Sequence, residues 1–262
     1  WSGKIDEAMR LFSDRTDVQF GCHHWPMWGK ERVISFLKKQ RDLYKFIHDQ
    51  TLRLANKGFS KEEIAEQIKL PQSLSQEFFN RDYYGTVHHN SKAVFVRYLG
   101  YFDGNPSTLY ERPPVERAIR YVEWMGGPAK ILEKARESFD SGDYRWTAEV
   151  LNHVVMADEK HEEAKCLLAD TLEQLGYQSE SATWRNFFLC GALELREGLP
   201  PTRDFVPSSG MAAGIPIDQV FKTMAVRLLP EQVDGEVIQV GIDLTDDAPY
   251  LLSIENCVLN YW

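Results

Sequence analysis

Two adjacent histidines, His23 and His24, are the residues of this chain best suited to chemistry. They open the segment His-His-Trp-Pro-Met-Trp-Gly at 23–29, after a run at 17–22 that predicts a buried strand. Imidazole in a loop that leaves a strand, stiffened by Pro26 and opened by Gly29, is a common position for a metal ligand or a catalytic base, since neutral imidazole binds zinc. The alternative is an ordinary pair, with one histidine packed and the other solvated.

A second polar cluster occupies residues 80–106. It combines arginine, tyrosine, histidine and asparagine in the stretches Asn80-Arg-Asp-Tyr-Tyr-Gly-Thr-Val-His-His-Asn90 and Arg97-Tyr-Leu-Gly-Tyr-Phe-Asp-Gly-Asn-Pro106. An arginine fork with several neutral donors suits a tetrahedral oxyanion, because the donors converge on oxygens that gain charge during reaction. The alternative is a structural network between helices, with tyrosines extending from an apolar core.

Composition limits the classes of function. The chain has 262 residues and a net charge of −9, which disfavours broad nucleic-acid binding, and it contains no stripe of lysine and arginine. No apolar run approaches the length of a membrane span. The four cysteines, Cys22, Cys166, Cys190 and Cys257, form no CxxC pair and are predicted to be buried free thiols. We expect a soluble protein of unknown compartment, with no targeting segment in this sequence. The ends at Trp1 and Trp262 indicate that the sequence is a fragment of a longer protein.

The elements that position these residues are mainly helical. Apolar spacing predicts helices over 2–13 and over 31–57, and Gly58 supplies the C-terminal stop of the second. Ser60 with Glu63 forms a capping box for the next helix, and a further helix is predicted over 91–99. Glycines at 142 and 176 lie about 34 residues apart, the period of tetratricopeptide-type helical hairpins, and predict a helical array over 128–195. A Gly, Pro and Ser-rich break follows at 198–216, and then a short helix with three antiparallel strands.

The polar stretches occur in an order that resembles a known family. The histidine segment is followed by Gln40-Arg-Asp-Leu-Tyr44, Ile47-His-Asp-Gln-Thr-Leu-Arg-Leu-Ala-Asn56, Asn80-Arg-Asp-Tyr-Tyr-Gly85, His89-Asn-Ser-Lys-Ala-Val94, Tyr98-Leu-Gly-Tyr-Phe-Asp-Gly-Asn-Pro106, Pro113-Pro-Val-Glu116 and Tyr121-Val-Glu-Trp-Met-Gly-Gly127. This series resembles the zinc-dependent alkylsulfatases of the metallo-β-lactamase superfamily, and the similarity extends over most of the chain.

The resemblance implies a mixed, mainly α architecture in three parts. Residues 1–40 would be the C-terminal remnant of an α/β metallo-β-lactamase-like domain and residues 41–198 an all-α dimerisation domain with tetratricopeptide-like hairpins. A linker at 199–216 would lead to a truncated α+β sterol-carrier-like domain at 217–262.

The resemblance also implies chemistry and partners. It indicates hydrolysis of alkyl sulfate esters by a homodimer with two zinc ions per active site. It makes His23 a zinc ligand, with His24 as the alternative, and it makes His89 and Tyr101 sulfate-facing residues. The family's His-x-His-x-Asp-His motif is absent from this sequence, so we expect these residues alone to be inactive. Two other hypotheses are a non-catalytic helical dimerisation module with a lipid-binding appendage, and a related hydrolase acting on phosphate or a thioester.

Overall fold

Helices make up most of the computed structural model, which describes residues 1–201, 210, 214–244 and 248–262. The helices are α1 (Ser2–Phe12), α2 (Lys30–Ala55), α3 (Lys61–Gln67), α4 (Gln72–Ser75), α5 (Val87–Leu99), α6 (Pro114–Trp124), α7 (Pro128–Asp140), α8 (Tyr144–Ala157), α9 (Glu162–Gln178), α10 (Ala182–Glu197) and α11 (Ile217–Ala225). The strands are β1 (Val18–Gln19), β2 (Met27–Trp28), β3 (Ile238–Ile242), β4 (Tyr250–Glu255) and β5 (Val258–Tyr261). The predicted mixed, mainly α fold is confirmed.

The chain divides into two compact units, Trp1–Pro200 and Pro201–Trp262. This division falls within the linker predicted at 199–216, most of which lies outside the described residues. The boundary predicted between residues 40 and 41 falls inside α2, which runs without a break for 26 residues. The predicted stop of this helix at Gly58 is confirmed, since the glycine adopts a φ of +88° just after the helix ends.

The buried strand predicted over 17–22 is wrong. Only Val18 and Gln19 are extended, and they pair antiparallel with Trp28 and Met27. Phe20 and Cys22 are exposed. The reason is that, among the described helices, these two short strands pack mainly against α2, which leaves Val18 and Trp28 largely exposed.

The middle of the first unit has its own small core. Ser60 caps α3 as predicted: its hydroxyl accepts the Glu63 N–H at 3.4 Å, and the Glu63 carboxylate accepts the Ser60 N–H at 2.8 Å. This cap aligns α3 across α5 and the end of α2, where a cluster of apolar side chains is buried: Leu54, Ile64, Ile68 and Phe95.

Helices α7 to α10 form the predicted array of hairpins, and α6 packs against α8. The turn between α7 and α8 uses Gly142, at a φ of +82° that other residues rarely adopt. Glycine is needed at position 176 for a different reason: a Cβ there would lie 2.9 Å from Cδ2 of Leu189 on α10. The core between these helices comprises Ile131, Leu132, Ala135, Val150, Leu151, Val154, Ala164, Leu167 and Leu168.

The second unit is a helix on a small sheet. The strand order is β3-β4-β5, all antiparallel, as the sequence predicts. Phe221 of α11 is fully buried, and its ring contacts those of Tyr250 and Tyr261 at centroid distances of 5.1 and 5.2 Å. One aromatic side chain therefore joins the helix to two of the three strands.

The predicted burial of the cysteines is wrong. Cys22, Cys166 and Cys190 are exposed and Cys257 is half-buried. On α9 the core positions are Ala164, Leu167, Leu168 and Thr171, so the helical period places Cys166 on the opposite face. None of the described helices is long and apolar enough to cross a membrane.

Candidate functional site

The two predicted metal-binding histidines lie together in the loop between β1 and β2. His24 adopts a φ of +68°, and the loop is closed at its base where the Gly29 N–H donates to the Asp17 carbonyl at 2.7 Å. The His23 ring lies against Tyr84, with centroids 5.0 Å apart. The His24 ring meets Phe78 and Tyr83 edge-on, each at 6.5 Å. Aromatic contacts with residues 78–84 therefore orient both rings.

Both imidazoles have nitrogens available for a ligand. Within the described residues, neither ring donates or accepts a hydrogen bond. Desolvation lowers the pKa of His24, and the neighbouring His23 lowers it further. The neutral imidazole is the form that coordinates a metal, so the environment of His24 favours the ligand state.

Two adjoining cavities of about 440 Å³ each include this histidine pair. The first is aromatic and is lined by His23, His24, Trp25, Phe78, Tyr83 and Tyr84. The second also contains polar residues: Gln40 of α2, Asn90 of α5, and Asn80 and Arg81 from the turn before α5. Arg81 lies over the Tyr83 ring at 5.4 Å and forms an ion pair with Glu180. Part of the polar cluster predicted to recognise an anion thus lines the same space as the histidines, namely Asn80, Arg81 and Asn90.

The turn at residues 80–85 is held from two directions. On one side, Gln40 Nε2 donates to Asn80 Oδ1 at 2.9 Å, and Asn80 Nδ2 donates to the Leu74 carbonyl at 3.1 Å. On the other, the corner between α9 and α10 provides three donors. The Ala182 N–H binds the Tyr83 carbonyl at 2.9 Å, and the hydroxyls of Ser181 and Thr183 both bind the Tyr84 carbonyl at 2.8 Å. These bonds connect the helical hairpins to the cavity wall.

Asp82 completes the turn at the start of α5. Its carboxylate accepts the Val87 N–H at 3.1 Å. Burial raises the pKa of Asp82; the Val87 hydrogen bond opposes that shift, and the nearby Glu180 adds to it.

His89 lies in the first turn of α5, where Thr86 caps the helix. The Thr86 hydroxyl accepts the His89 N–H at 3.0 Å and lies 3.4 Å from His89 Nδ1. One side of the imidazole meets Trp184 edge-on, with centroids 4.3 Å apart. Desolvation lowers the pKa of His89, and Lys92 adds to the effect. His89 lines a third cavity of about 540 Å³, which shares Tyr84 with the two histidine cavities.

Tyr101 lies apart from the other predicted site residues. It follows Gly100, at which α5 ends, and its side chain is 83% exposed. It lines none of the three cavities around Tyr84. The structure therefore brings His23, His24 and the turn at 80–85 together, places His89 in a third cavity that shares Tyr84 with the first two, and leaves Tyr101 outside this group.

A complete metal centre is not formed by the described part of the chain. Across residues 1–201, 210, 214–244 and 248–262, no three His, Cys, Asp or Glu side chains converge in a way that could hold a metal ion. Zinc sites use three or four protein ligands, with imidazole among the preferred donors. The free nitrogens of His23 and His24 fit zinc as part of a ligand set.

Sequence reasoning missed residues that contribute to this site. Tyr84 borders all three cavities, and the Tyr-Tyr-Gly run within the polar cluster was its only signal. Three further residues reach the site from far along the chain: Ser181, the N-cap of α10, and Thr183 and Trp184 in its first turn. No local pattern predicts that contact.

Comparison with known proteins gives a consistent result. The family model for alkyl sulfatase dimerisation matches residues 60–198, more than half of the chain, and the model for the alkyl sulfatase C-terminal region matches 207–262. A linear primary-alkylsulfatase from Pseudomonas sp. is 49% identical over 264 residues, covering 100% of this chain and 39% of the relative. The alkyl/aryl-sulfatase BDS1 of Saccharomyces cerevisiae is 45% identical over 265 residues, covering 100% of this chain and 40% of the relative.

A solved structure points to the same family as the family models and the relatives. The stereoselective inverting sec-alkylsulfatase Pisa1 from Pseudomonas sp. superposes with a TM-score of 0.96 at 41% identity, covering 100% of this chain and 42% of that one. The chain thus spans about two-fifths of the length of the relatives it matches. Family model, relatives and structure agree, and the chain belongs to the alkyl sulfatase dimerisation family.

Proposed function

We propose that this chain is part of a zinc-dependent alkylsulfatase that hydrolyses alkyl sulfate esters to an alcohol and sulfate. The observation that carries the proposal is the pair of free imidazoles at His23 and His24, which share a cavity wall with Arg81 and Asn90. The similarity to alkylsulfatases over the whole chain supports it.

In this proposal the chain supplies part of the catalytic machinery. His23, or alternatively His24, is one metal ligand, and two zinc ions occupy each active site of the complete protein. A bound zinc ion supplies Lewis acidity and lowers the pKa of water, which makes a nucleophile available near neutral pH. Residues 1–40 belong to a metallo-β-lactamase-like domain, and residues 217–262 to a sterol-carrier-like domain.

His89 and Tyr101 bind the sulfate group in the same proposal. The shift in the pKa of His89 favours the neutral ring. With Nδ1 directed at the Thr86 hydroxyl, Nε2 remains to bond a sulfate oxygen. The phenol of Tyr101 is exposed and can donate to a second oxygen. Such donors act where charge develops on the leaving sulfate.

The test uses the complete polypeptide that contains this chain. We expect His23→Ala to lose at least about half of the bound zinc and about 10²-fold or more of the decyl sulfate turnover, because loss of a residue that merely supports a metal ligand already costs about 10–100-fold. Zinc is measured by mass spectrometry and sulfate release by ion chromatography, with His24→Ala in parallel. His153→Ala on α8, whose ring contacts Tyr121, is the matched control. Unchanged zinc in both loop variants would refute the assignment of the metal site.

A second candidate function is a non-catalytic dimerisation module with a lipid-binding appendage. The match to the dimerisation model and the lack of a three-ligand cluster in the described residues favour it. Both candidates require a homodimer, which sedimentation equilibrium measures. A zinc-free dimer of the complete polypeptide that leaves alkyl sulfates intact would select the module and exclude the enzyme.

A further inference from the structure

The cavity beyond Tyr84 differs in chemistry from the two that hold the histidine pair. Its volume is about 540 Å³, and aromatic side chains from α10 dominate its wall: Trp184, Phe187 and Phe188. His89 and Tyr84 are the lining residues with a titratable group, and none of the residues that line it is an acid, a lysine or an arginine. A cavity of this size and composition is typical of a site for an apolar ligand.

The wall of this cavity is anchored by hydrogen bonds. Ser181 is only 2% exposed; its hydroxyl binds the Tyr84 carbonyl and accepts the Trp184 N–H at 3.4 Å. Thr183 binds the same carbonyl. The ring of Trp184 meets those of His89 and Phe188, with centroids 4.3 and 6.4 Å away. This wall of the cavity is therefore ordered before a ligand binds, which reduces the conformational entropy lost on binding.

Tyr84 connects this cavity with the histidine loop. It lines both the apolar cavity and the cavity that contains His23, and its ring lies 5.0 Å from that of His23. A ligand with a polar head beside His23 and His24 and an apolar tail can occupy both cavities by passing Tyr84. His89 also lines the apolar cavity, so the sulfate that it binds in the proposed function would lie next to Tyr84, where the cavities meet.

We propose that the cavity between Tyr84 and α10 binds the alkyl chain of the ester, and that Phe187 sets the preference for chain length. This inference rests on the proposed function above. Phe187 is 83% exposed, so its ring forms the outer part of the wall, where added methylene groups would arrive. Each methylene that leaves water improves binding by about fourfold.

The experiment compares chain-length series in the complete polypeptide. Wild type, Phe187→Ala and Phe187→Leu are assayed with hexyl, octyl, decyl and dodecyl sulfate for kcat and KM. Leu193→Ala is the control, because Leu193 is an exposed apolar residue on the same helix that does not line the cavity. We expect KM to fall by up to about fourfold per methylene in the wild type and the control. In Phe187→Ala this dependence should flatten, with a loss that grows with chain length and is partly restored in Phe187→Leu.

Binding of 1-octanol and 1-decanol, measured by calorimetry, separates this inference from the proposed function. Alcohols carry the chain without the sulfate, so weaker binding by Phe187→Ala supports the cavity even if the wild type hydrolyses no alkyl sulfate. Hydrolysis with an unchanged chain-length series in Phe187→Ala would overturn the inference and leave the proposed function standing. Conversion of the protein from dimer to monomer by Phe187→Ala, with unchanged alcohol binding, would also overturn it, because Phe187 would then belong to a subunit interface.

Discussion

The corner between α9 and α10 should control the stability of the cavity wall through one shared acceptor. The Tyr84 carbonyl accepts hydrogen bonds from both Ser181 and Thr183, whose hydroxyl oxygens lie 2.9 Å apart. We consider Ser181→Ala, Thr183→Val and the double variant. Each single change leaves the carbonyl with one donor, whereas the double change leaves it with none of these two.

The magnitudes follow from these contacts. Ser181 caps α10, and loss of an N-cap costs about 1 kcal/mol. Loss of its bond to Tyr84 adds about 1 kcal/mol, so Ser181→Ala should lower the free energy of unfolding by ~2 kcal/mol. Thr183→Val keeps the side-chain shape and should cost about 0.5–1 kcal/mol. The double variant should lose a further ~1 kcal/mol of unfolding free energy beyond the sum of the two single variants. The reason is that the Tyr84 carbonyl, which lies beside the buried Ser181, then lacks both hydroxyl donors.

The assay is urea unfolding followed by circular dichroism, analysed as a double-mutant cycle. Ser60→Ala is the matched control, since Ser60 also caps a helix and its side-chain hydrogen bonds go to Glu63 and not to the turn at 80–85. It should cost about 1 kcal/mol and show no coupling to Thr183→Val. Additivity of Ser181→Ala and Thr183→Val within about 0.3 kcal/mol would refute the reasoning that the two hydroxyls share one acceptor.

Three further predictions concern packing, pH and metal. Gly176→Ala should lower the free energy of unfolding by about 1–2 kcal/mol, because the new Cβ would lie 2.9 Å from Cδ2 and 3.0 Å from Cγ of Leu189. The control Gly3→Ala on α1 places its Cβ in open space and should be neutral or stabilising, and the urea midpoints of the two variants are compared. Desolvation lowers the pKa of His24, His88, His89 and His153 in the folded state, so the unfolded state binds more protons as the pH falls through the usual histidine pKa. The free energy of unfolding should therefore fall from about pH 7.5 to about pH 5.5, and less steeply in His153→Gln. A free energy of unfolding that does not change over this range would contradict these shifts. Dialysis of the complete polypeptide against a chelator should abolish alkyl sulfate hydrolysis and added zinc should restore it, whereas full activity in a protein shown to be metal-free would exclude the zinc proposal.

Local signals in the sequence predicted the helical part of the fold well. The capping box at Ser60 and the stop at Gly58 each depend on residues within a few positions, and the structure confirms both. The start of α5 was less accurate: a helix is predicted from Ser91, but it begins at Val87 because the Thr86 side chain caps it. The prediction of a buried strand at 17–22 was wrong because the burial of a strand depends on the elements that pack against it, and these cannot be identified from the strand's own residues.

The candidate site was predictable in its residue types but not in its geometry. His23, His24 and the cluster at 80–90 are visible as motifs, and the structure places them around the same cavities. The separation of Tyr101 from this group is not visible, since it depends on the path of the chain after Gly100. The contribution of Trp184 is equally hidden, because it results from the packing of distant helices.

The uninterrupted course of α2 has a consequence for building hybrids of related enzymes. At about 1.5 Å per residue, its 26 residues form a rod of roughly 39 Å that carries the histidine loop at one end and reaches the core around Leu54 at the other. A crossover at residue 40 would divide this rod and separate Val33 from Ile47, two buried positions of a single helix. Recombination after Gly58 keeps the rod whole, so functional chimeras should accept junctions in that turn and reject those about five helical turns earlier, near residue 40.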